Sequence, residues 1–259
     1  NWCGTCETAL AEAEVEYEDH TSPSVFVKFK INNFGSLKAE FKKPVYLLIW
    51  TTTPWTLLAN VAVAVHPDYT YQFIDIGEEI LVVEQSSWQR IRGLAGFTLK
   101  ENPSGNTVQR ECILSPMVSG SQLEGLTYDH PFGVKTNCCV ITVDYVTKED
   151  GTGLVHTAPG HGQDDFQAGQ KNNLDILMPV NDQGVFTKDA GKYEGQYIFK
   201  ANENIITDLK ERGILLLSQN ISHSYPHCWR CKKPILFRAT KQWFLKIDHD
   251  HLRAKLKDV

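Results

Sequence analysis

The chain has 259 residues, 42% of them hydrophobic and 22% charged, which is the composition of a globular protein with one sizeable core and room for a small second module. Lys and Arg number 26 against 31 Asp and Glu, and the resulting net charge of −5 excludes a protein that grips a nucleic acid duplex over its whole surface. Since no run of about 18 apolar residues occurs and residues 1–6 do not resemble a signal peptide, we expect an intracellular protein without a membrane segment.

Short apolar or alternating segments recur along the chain and predict a β-rich fold. In residues 24–31 apolar side chains alternate with polar ones that include Lys28 and Lys30, which is the period of a half-buried strand. Further predicted strands span residues 45–50, 61–65, 69–76, 80–84, 138–146, 154–157, 176–180 and 214–218. So many short strands favour a barrel or a curled sheet.

Helices are predicted to be few and short. They span residues 53–60, 86–94 and 202–212, with a fourth that begins at residue 163 or 164. Gly96 and Gly213 are placed to end two of them in the left-handed conformation. Thr53 can cap the helix that opens at Pro54, a residue suited to a first helical position because it has no N–H to satisfy. Residues 100–106 read as a surface loop.

The cysteines predict a metal site. Seven cysteines are an odd count for a fully paired disulfide scaffold, and four of them form two Cys-x-x-Cys pairs at opposite ends of the chain, Cys3/Cys6 and Cys228/Cys231. Four such thiolates make a closed tetrahedral zinc site. Two alternatives remain: unrelated knuckle-like turns, or a redox pair, although a redox Cys-x-x-Cys should follow a strand and open a helix.

Two polar segments stand out as candidate sites. Residues 47–60 carry four threonines at a strand-to-helix junction, where hydroxyls and free helix-end amides can orient a water and stabilise an oxyanion; the alternative is an ordinary capped strand end. Residues 151–166 hold two histidines, two adjacent aspartates and four glycines, and a metal, a phosphate or an organic substrate would each explain them. The spacing fits no common zinc-hydrolase motif, and no lysine follows the glycines to hold a phosphate.

Three strings identify a resemblance. They are WTTTPWTLLAN, GTGLVHTAPGHGQDDF and CWRCKKPILFRATKQWF, and together they closely resemble isoleucyl-tRNA synthetases, in the connective-peptide insertion that edits misacylated tRNA. The resemblance covers essentially the whole chain, and valyl and leucyl relatives usually carry Arg-Pro-Glu or Arg-Pro-Asp where this chain has Thr53-Pro54-Trp55. The family's His-Ile-Gly-His-like and Lys-Met-Ser-Lys-Ser-like signatures do not occur here, so the resemblance implies an editing fragment that does not itself make isoleucyl-tRNA.

The resemblance implies a fold and a domain division. The fold is a β-rich α/β editing domain of the type shared by valyl-, isoleucyl- and leucyl-tRNA synthetases, with a closed β-barrel core and short surrounding helices, and it spans residues 20–215. Residues 1–19 and 216–259 form a small zinc-ribbon-like stalk and the junction to the catalytic domain. The stalk holds one structural zinc through Cys3, Cys6, Cys228 and Cys231.

The resemblance also implies an activity, hydrolysis of the ester of valyl-tRNA(Ile), with valyl-adenylate left open as a further substrate. A site that accepts isoleucine rejects valine poorly, since a methylene is worth only about 1–3 kcal/mol, a figure for which this amino-acid pair is a standard example. A second, hydrolytic site then removes valine. The expected partners are the tRNA(Ile) acceptor end carrying valine and the remainder of the synthetase, in a monomer of the cytoplasm or an organelle that contacts no membrane.

The expected roles follow from motif matching, and they favour an organic substrate at the glycine-rich segment. Asp165 holds the α-ammonium group of the substrate, whereas Asp164 points elsewhere because two carboxylates in one pocket would raise each other's pKa. His156 is a size gate against isoleucine, Asn60 and Trp55 belong to the same pocket, and His161 is part of a turn. The ester and the attacking water are positioned by four threonines, Thr51, Thr52, Thr53 and Thr56.

A second hypothesis is a non-catalytic module that binds tRNA or acts as a scaffold. Its basis is a group of basic residues interleaved with aromatic ones near the end of the chain, Lys232, Lys233, Phe237, Arg238, Lys241, Trp243 and Phe244. The alternative for this group is an ordinary solvated face.

Overall fold

The computed structural model describes residues 1–35, 37, 41–99, 110–243 and 245–257. The predicted surface loop at residues 100–106 and Phe244 lie outside these residues. Within the described ranges, none of the helices combines the length and the apolar character needed to cross a membrane.

Strand is the commonest regular structure in the described chain. The strands are β1 (Trp2–Cys3), β2 (Thr8–Ala9), β3 (Val15–Asn33), β4 (Val45–Thr51), β5 (Ala62–Val65), β6 (Thr70–Asp75), β7 (Ile80–Glu84), β8 (Phe97–Leu99), β9 (Arg110–Ser119), β10 (Thr127–Tyr128), β11 (Cys138–Thr142), β12 (Leu154–Thr157) and β13 (Leu215–Cys228). The helices are α1 (Gln85–Ala95), α2 (Gly120–Leu123), α3 (Gln163–Lys171), α4 (Ile198–Glu211) and α5 (Leu252–Lys257), with 3₁₀ segments at Glu12–Glu14, Pro54–Ala59, Lys188–Tyr193 and His249–His251.

Six strands close into a barrel. Each strand pairs with the next in the order β3, β10, β11, β5, β12, β4, and β4 pairs back with β3, for example at Val27 and Ile49. The sheet continues from β4 beyond the barrel as a flap, in which the strands pair in the order β7, β6, β9, β8. The predicted closed β-barrel is therefore confirmed. It closes because β3 is long enough to pair with β10, the next strand in this order, and also with β4, the last one.

The barrel core is filled by the alternating residues that predicted strands. Val27, Phe29 and Leu47 are fully buried in one cluster, and α4 adds Ile205 and Leu209 to it. These helical positions lie on one face of α4, so the helix covers the barrel with a single apolar stripe. Burying each such side chain stabilises the fold by roughly 1.5–3 kcal/mol, which makes this cluster the main source of stability.

Several predicted elements differ in extent from those observed. The predicted strand at residues 176–180 is wrong: only Val180 pairs, through an isolated bridge to Phe186, because Pro179 has no N–H with which to continue a ladder. The strand predicted at residues 138–146 ends at Thr142, because its partner β5 ends opposite at Val65.

Three α-helices of the structure lie where the sequence predicts helices. α1, α3 and α4 overlap the predicted segments, although α4 begins four residues earlier, at Ile198. Gly96 and Gly213 both have positive φ, +71° and +68°, as predicted for residues that end helices. The segment at residues 53–60 forms a 3₁₀ helix, Pro54–Ala59, in place of an α-helix.

A long two-stranded ribbon joins the barrel to the chain ends. β13 pairs with β3 without a break from Ser218 opposite Val25 to Cys228 opposite Val15. Near the chain ends, Trp2 and Leu236 exchange two backbone hydrogen bonds of 2.9 Å. The expected boundary after residue 19 falls within β3, so a division into an editing domain of residues 20–215 and a stalk stays a prediction.

Candidate functional site

The candidate site lies where three barrel strands meet. β4 and β12 run parallel, with Trp50 opposite Val155, so the carboxyl ends of both strands lie at the same edge of the barrel. β5 runs antiparallel to β12 and begins there, with Ala62 opposite Thr157. The 3₁₀ helix connects the end of β4 to the start of β5 and therefore lies over this edge.

Hydroxyl groups form a continuous chain along this edge. Thr51 Oγ1 is 3.1 Å from Thr53 Oγ1, which is 3.3 Å from Thr56 Oγ1. Thr56 Oγ1 also donates to the Thr53 carbonyl at 2.8 Å. Thr51 and Thr56 are buried, whereas Thr52 and Thr53 are half-buried. The structure thus brings the four predicted threonines together at one edge, with the middle two partly open.

His156 extends this chain inward. Its Nε2 lies 2.9 Å from Thr56 Oγ1 and its Nδ1 lies 2.8 Å from Asn60 Nδ2. Burial is the main cause that lowers the pKa of His156 to about 3, and the nearby His130 and His161 contribute to the same shift. The imidazole is therefore neutral at physiological pH and both of its nitrogens are already hydrogen-bonded, so the ring is held in one position and neither nitrogen is free to act as a general base.

A small cavity opens beside the threonines. It encloses about 90 Å³ between β3, β13, α4 and the threonine loop, and its lining includes Thr52, Thr53 and Trp55. Asn202 of α4 accepts a 3.0 Å hydrogen bond from the Trp55 backbone N–H. The predicted cap by Thr53 is thus wrong: the free amide of the 3₁₀ helix is capped by Asn202, and the Thr53 hydroxyl stays within the threonine chain.

Asp165 lies in the first turn of α3, which follows β12. Its Oδ2 accepts a 2.9 Å hydrogen bond from the Ala158 backbone N–H, while its Oδ1 has only a 3.5 Å contact with the Tyr145 hydroxyl. Burial raises the pKa of Asp165, opposed by the Ala158 N–H. Within the described ranges, no cation pairs with this carboxylate and no hydrogen bond joins it to the threonines or His156, so one of its oxygens is free to accept from a ligand.

The glycine-rich segment is shaped around this carboxylate. A Cβ at Gly162 would lie 2.9 Å from Asp165 Oδ2, so any larger residue there would push the carboxylate out of its position. Asp164 is exposed. His161 is buried, its Nδ1 lies 2.9 Å from the Phe237 carbonyl oxygen, and its ring packs edge-on against Trp55 at 4.8 Å between centroids. His161 therefore connects this turn to Phe237, near the end of the chain, and to Trp55, which lines the cavity.

Comparison with known proteins identifies the family. The model of the class I tRNA synthetases (I, L, M and V) matches residues 1–259. The chain belongs to this family of class I tRNA synthetases. The isoleucine–tRNA ligase of Fervidobacterium pennivorans is 50% identical over 98% of the chain, and that of Carboxydothermus hydrogenoformans is 49% identical over 100%. The chain spans 26% of the length of each of these curated relatives.

Solved structures of class I synthetase fragments share the fold. The editing domain of the P. knowlesi cytosolic leucyl-tRNA synthetase matches with a TM-score of 0.58 at 11% identity, over 78% of this chain and 96% of that one. GlLeuRS-CP1 matches with a TM-score of 0.57 at 15% identity, over 76% and 98%. This class I synthetase chain therefore has the β-rich editing-domain fold that the sequence predicted.

The four predicted cysteines of the class I synthetase chain converge. Their sulfur atoms all lie within 4.8 Å of one another, close to the roughly 3.8 Å that tetrahedral Zn–S bonds of about 2.3 Å require. The Cys6 backbone N–H donates to Cys3 Sγ at 3.3 Å. Burial raises the pKa of Cys228, but the N–H groups of Cys231 and Arg230 outweigh it and bring the pKa to about 7. Burial raises the pKa of Cys3 to about 12, so Cys228 is the member of the group most readily ionised. The convergence of the four sulfur atoms is the feature that suits a metal ion.

Two of the four basic residues near the end of the chain form ion pairs. Lys232 forms an ion pair with Glu16, and Arg238 forms one with Asp182 and packs over the Trp2 ring. Trp243 is fully exposed. Half of the predicted basic group is therefore neutralised by partners within this class I synthetase chain.

Sequence analysis missed three residues of the site. Asn202 caps the 3₁₀ helix, the Tyr128 hydroxyl donates to Asn60 Oδ1 at 2.6 Å, and Tyr145 contacts Asp165. No local pattern marks them, because each reaches the site across many residues of sequence. Most of the predicted site residues belong to one hydrogen-bonded network: Thr51, Thr53, Thr56, His156 and Asn60. The adjoining cavity is lined by Thr52 and Trp55. Asp165 lies beside the end of β12.

Proposed function

We propose that the chain is the editing hydrolase of an isoleucyl-tRNA synthetase and cleaves the ester of valyl-tRNA(Ile). The observation that carries this proposal is the half-buried Asp165 carboxylate, which no cation among the described residues pairs with. It lies at the same barrel edge as the partly open threonine chain, which ends at the neutral His156. A substrate with an ammonium group beside an ester supplies both the missing cation and the bond that water cleaves.

The reaction needs no covalent intermediate on the protein. Water attacks the ester carbonyl, the oxygen of the terminal ribose leaves with a proton, and free valine and uncharged tRNA are the products. In our proposal Thr52 and Thr53, whose side chains line the cavity, orient the water and the ester. Hydroxyls fixed before the substrate arrives stabilise developing charge without reorganisation. Asp165 Oδ1 accepts from the ammonium group.

Discrimination comes from the wall that His156 forms. Since its two nitrogens are held by Thr56 and Asn60, the imidazole cannot swing aside for a larger side chain. The extra methylene of isoleucine would then collide with the ring, whereas valine fits. Overpacking of this kind costs about 1–3 kcal/mol in a well-packed site, enough for a substantial preference for valine.

The direct test offers this chain valyl-tRNA(Ile) and isoleucyl-tRNA(Ile) in parallel. We expect valine to be released at least about tenfold faster than isoleucine, the factor that one methylene is worth in a closed pocket. Release of the labelled amino acid is the measurement, with uncatalysed hydrolysis in buffer as the control. Binding of tRNA without turnover would contradict the hydrolase and support the non-catalytic module.

Zinc is the metal that we propose for the cysteine group, because four thiolates at tetrahedral spacing are its structural ligand set. When bound, zinc supplies a structural cross-link between the chain ends. Protein prepared without chelator is expected to contain about one equivalent of zinc by metal analysis. Cys231→Ser should lose it, whereas Cys139→Ser, a half-buried barrel cysteine outside the group, should keep it. Wild-type protein free of zinc would refute this assignment.

The remaining assignments belong to the same proposal. The tRNA acceptor end reaches the site from the body of the synthetase, whose relatives are about four times longer than this chain. Residues 20–215 act as the editing domain, and the segments 1–19 and 216–259 act as the stalk. The whole enzyme works as a monomer in the cytoplasm or an organelle.

A further inference from the structure

A buried amide lies between Tyr128 and the His156 wall. Asn60 is fully buried, Tyr128 is 1% exposed and His156 is 7% exposed. The Tyr128 hydroxyl donates to Asn60 Oδ1 at 2.6 Å, and Asn60 Nδ2 lies 2.8 Å from His156 Nδ1. Tyr128 itself is fixed by stacking on Phe29, with 5.2 Å between ring centroids. Tyr128 therefore reaches the wall through Asn60 while lying outside the cavity.

The neighbours of Asn60 fix which way its amide points. Its Nδ2 donates to the Ala62 carbonyl at 2.9 Å. The other hydrogen of the same nitrogen is directed to His156 Nδ1 at 2.8 Å, because the remaining acceptor, the Thr157 carbonyl, is 3.5 Å away. A reversed amide would place two acceptor oxygens, those of Asn60 and Ala62, against each other. Burial raises the pKa of Tyr128 well above its ordinary value, so its hydroxyl keeps the proton that it donates to Asn60.

The amide orientation then decides the tautomer of His156. Since Nδ1 accepts from Asn60, the proton of the neutral ring is on Nε2, which donates to Thr56 Oγ1. Thr56 is thereby free to give its own hydrogen to the Thr53 carbonyl. Four hydrogen bonds thus form a row that runs from Tyr128 through Asn60, His156 and Thr56 to the Thr53 carbonyl. Every donor in this row points from the barrel interior toward the threonines at the cavity.

We infer that Tyr128 is a positioning residue of the editing site, which holds the His156 tautomer and the direction of the threonine hydroxyls through Asn60. The inference depends on the proposed function for its catalytic consequence, but the tautomer can be observed without any substrate. If the row reversed, Thr56 would donate to His156 Nε2 and release the Thr53 carbonyl, and the hydroxyls beside the cavity would be re-aimed.

The test compares Tyr128→Phe with Tyr71→Phe. Tyr71, in β6 of the flap, is the matched control because it is also fully buried and lies outside this row. Its hydroxyl also makes hydrogen bonds, donating to the Gly153 carbonyl at 2.8 Å and accepting from the His66 N–H at 2.9 Å. Both variants lose one buried hydroxyl. Similar melting temperatures would show that they lose similar stability.

Nitrogen NMR of histidine-labelled protein reports the tautomer, with the His156 signals assigned from a His156→Ala sample. Wild-type protein is expected to carry the proton on Nε2. In Tyr128→Phe the population of the Nδ1–H form should rise about tenfold, which is the factor that one hydrogen bond is worth, and Tyr71→Phe should match wild type. A wild-type proton on Nδ1, or a Tyr128→Phe spectrum unchanged from wild type, would overturn the inference.

The kinetics of valyl-tRNA(Ile) hydrolysis, measured beside the tautomer, distinguish a failure of this inference from a failure of the proposed function. Tyr128→Phe is expected to lower kcat about tenfold with KM unchanged, because Tyr128 does not touch the substrate. A change in KM alone would overturn the positioning role. A chain that shows the tautomer shift but cleaves no valyl ester supports the role of Tyr128 in fixing His156 and overturns only the proposed function.

Discussion

Replacing Asp165 by asparagine is expected to reduce hydrolysis of valyl-tRNA(Ile) by at least about a hundredfold, because removing one member of a buried charge pair costs roughly 3–5 kcal/mol. Asparagine keeps a carbonyl oxygen that can accept the 2.9 Å hydrogen bond from the Ala158 N–H, so the start of α3 stays anchored to the end of β12. What is lost is the negative charge that faces the ammonium group. The measurement is the rate of valine release under single-turnover conditions.

The chain provides a matched control at the neighbouring position. Asp164→Asn makes the same change of charge in the same turn of α3, but Asp164 is exposed. We expect its hydrolysis rate to remain within about twofold of wild type, as is usual for exposed charges. Equal losses in both variants would show that the net charge of the turn matters and that Asp165 makes no specific contact with the ammonium group. In the whole synthetase, isoleucine activation should be unaffected by either change.

The electrostatic setting of the site suits a cationic substrate. Burial lowers the pKa of His130 and His161 to about 4 and that of His156 to about 3, so all three rings are neutral near pH 7. A protonated ring at the wall would repel the ammonium group that Asp165 is proposed to hold. In the proposed editing site, burial of these histidines therefore keeps positive charge away from the ammonium group.

The sequence was sufficient to predict the barrel but not the ribbon that leaves it. The strands of the barrel bury alternating or continuous apolar residues, and that pattern is local. The first part of β3, by contrast, reads Val-Glu-Tyr-Glu-Asp-His and is largely exposed. It is extended because β13 pairs with it, Cys228 opposite Val15, and pairing between segments so distant in sequence leaves no local signal.

The same distinction applies to the site. The threonine run, His156 and Asp165 were predicted because each lies in a compact motif that resembles the isoleucyl-tRNA synthetases. Tyr128 and Asn202 were missed because they act on that motif from 68 and 147 residues away. A side chain that caps a 3₁₀ helix or orients an amide is chosen by tertiary packing, so no pattern within a short window can reveal it.

His156→Ala is expected to let the site hydrolyse isoleucyl-tRNA(Ile) at a rate within about tenfold of that for valyl-tRNA(Ile), because the space of an imidazole exceeds the one methylene, worth about 1–3 kcal/mol, that separates the two substrates. The variant also leaves Thr56 and Asn60 without their 2.9 Å and 2.8 Å partner atoms, so its stability should fall by about 1–3 kcal/mol. The ratio of the two hydrolysis rates is the measurement, since it does not depend on how much of the protein is folded.

His130→Ala is the matched control for this gate. His130 has the same 7% exposure as His156 and a similarly lowered pKa. Its Nδ1 accepts from the backbone of Phe132, and its ring interacts with the backbone of Asn60 but makes no hydrogen bond to the threonines in the described part of the chain. Its removal should therefore lower stability while leaving the preference for valine intact. A relaxed preference in His130→Ala, or a retained one in His156→Ala, would place the gate elsewhere, because only a side chain in contact with the substrate can exclude one carbon selectively.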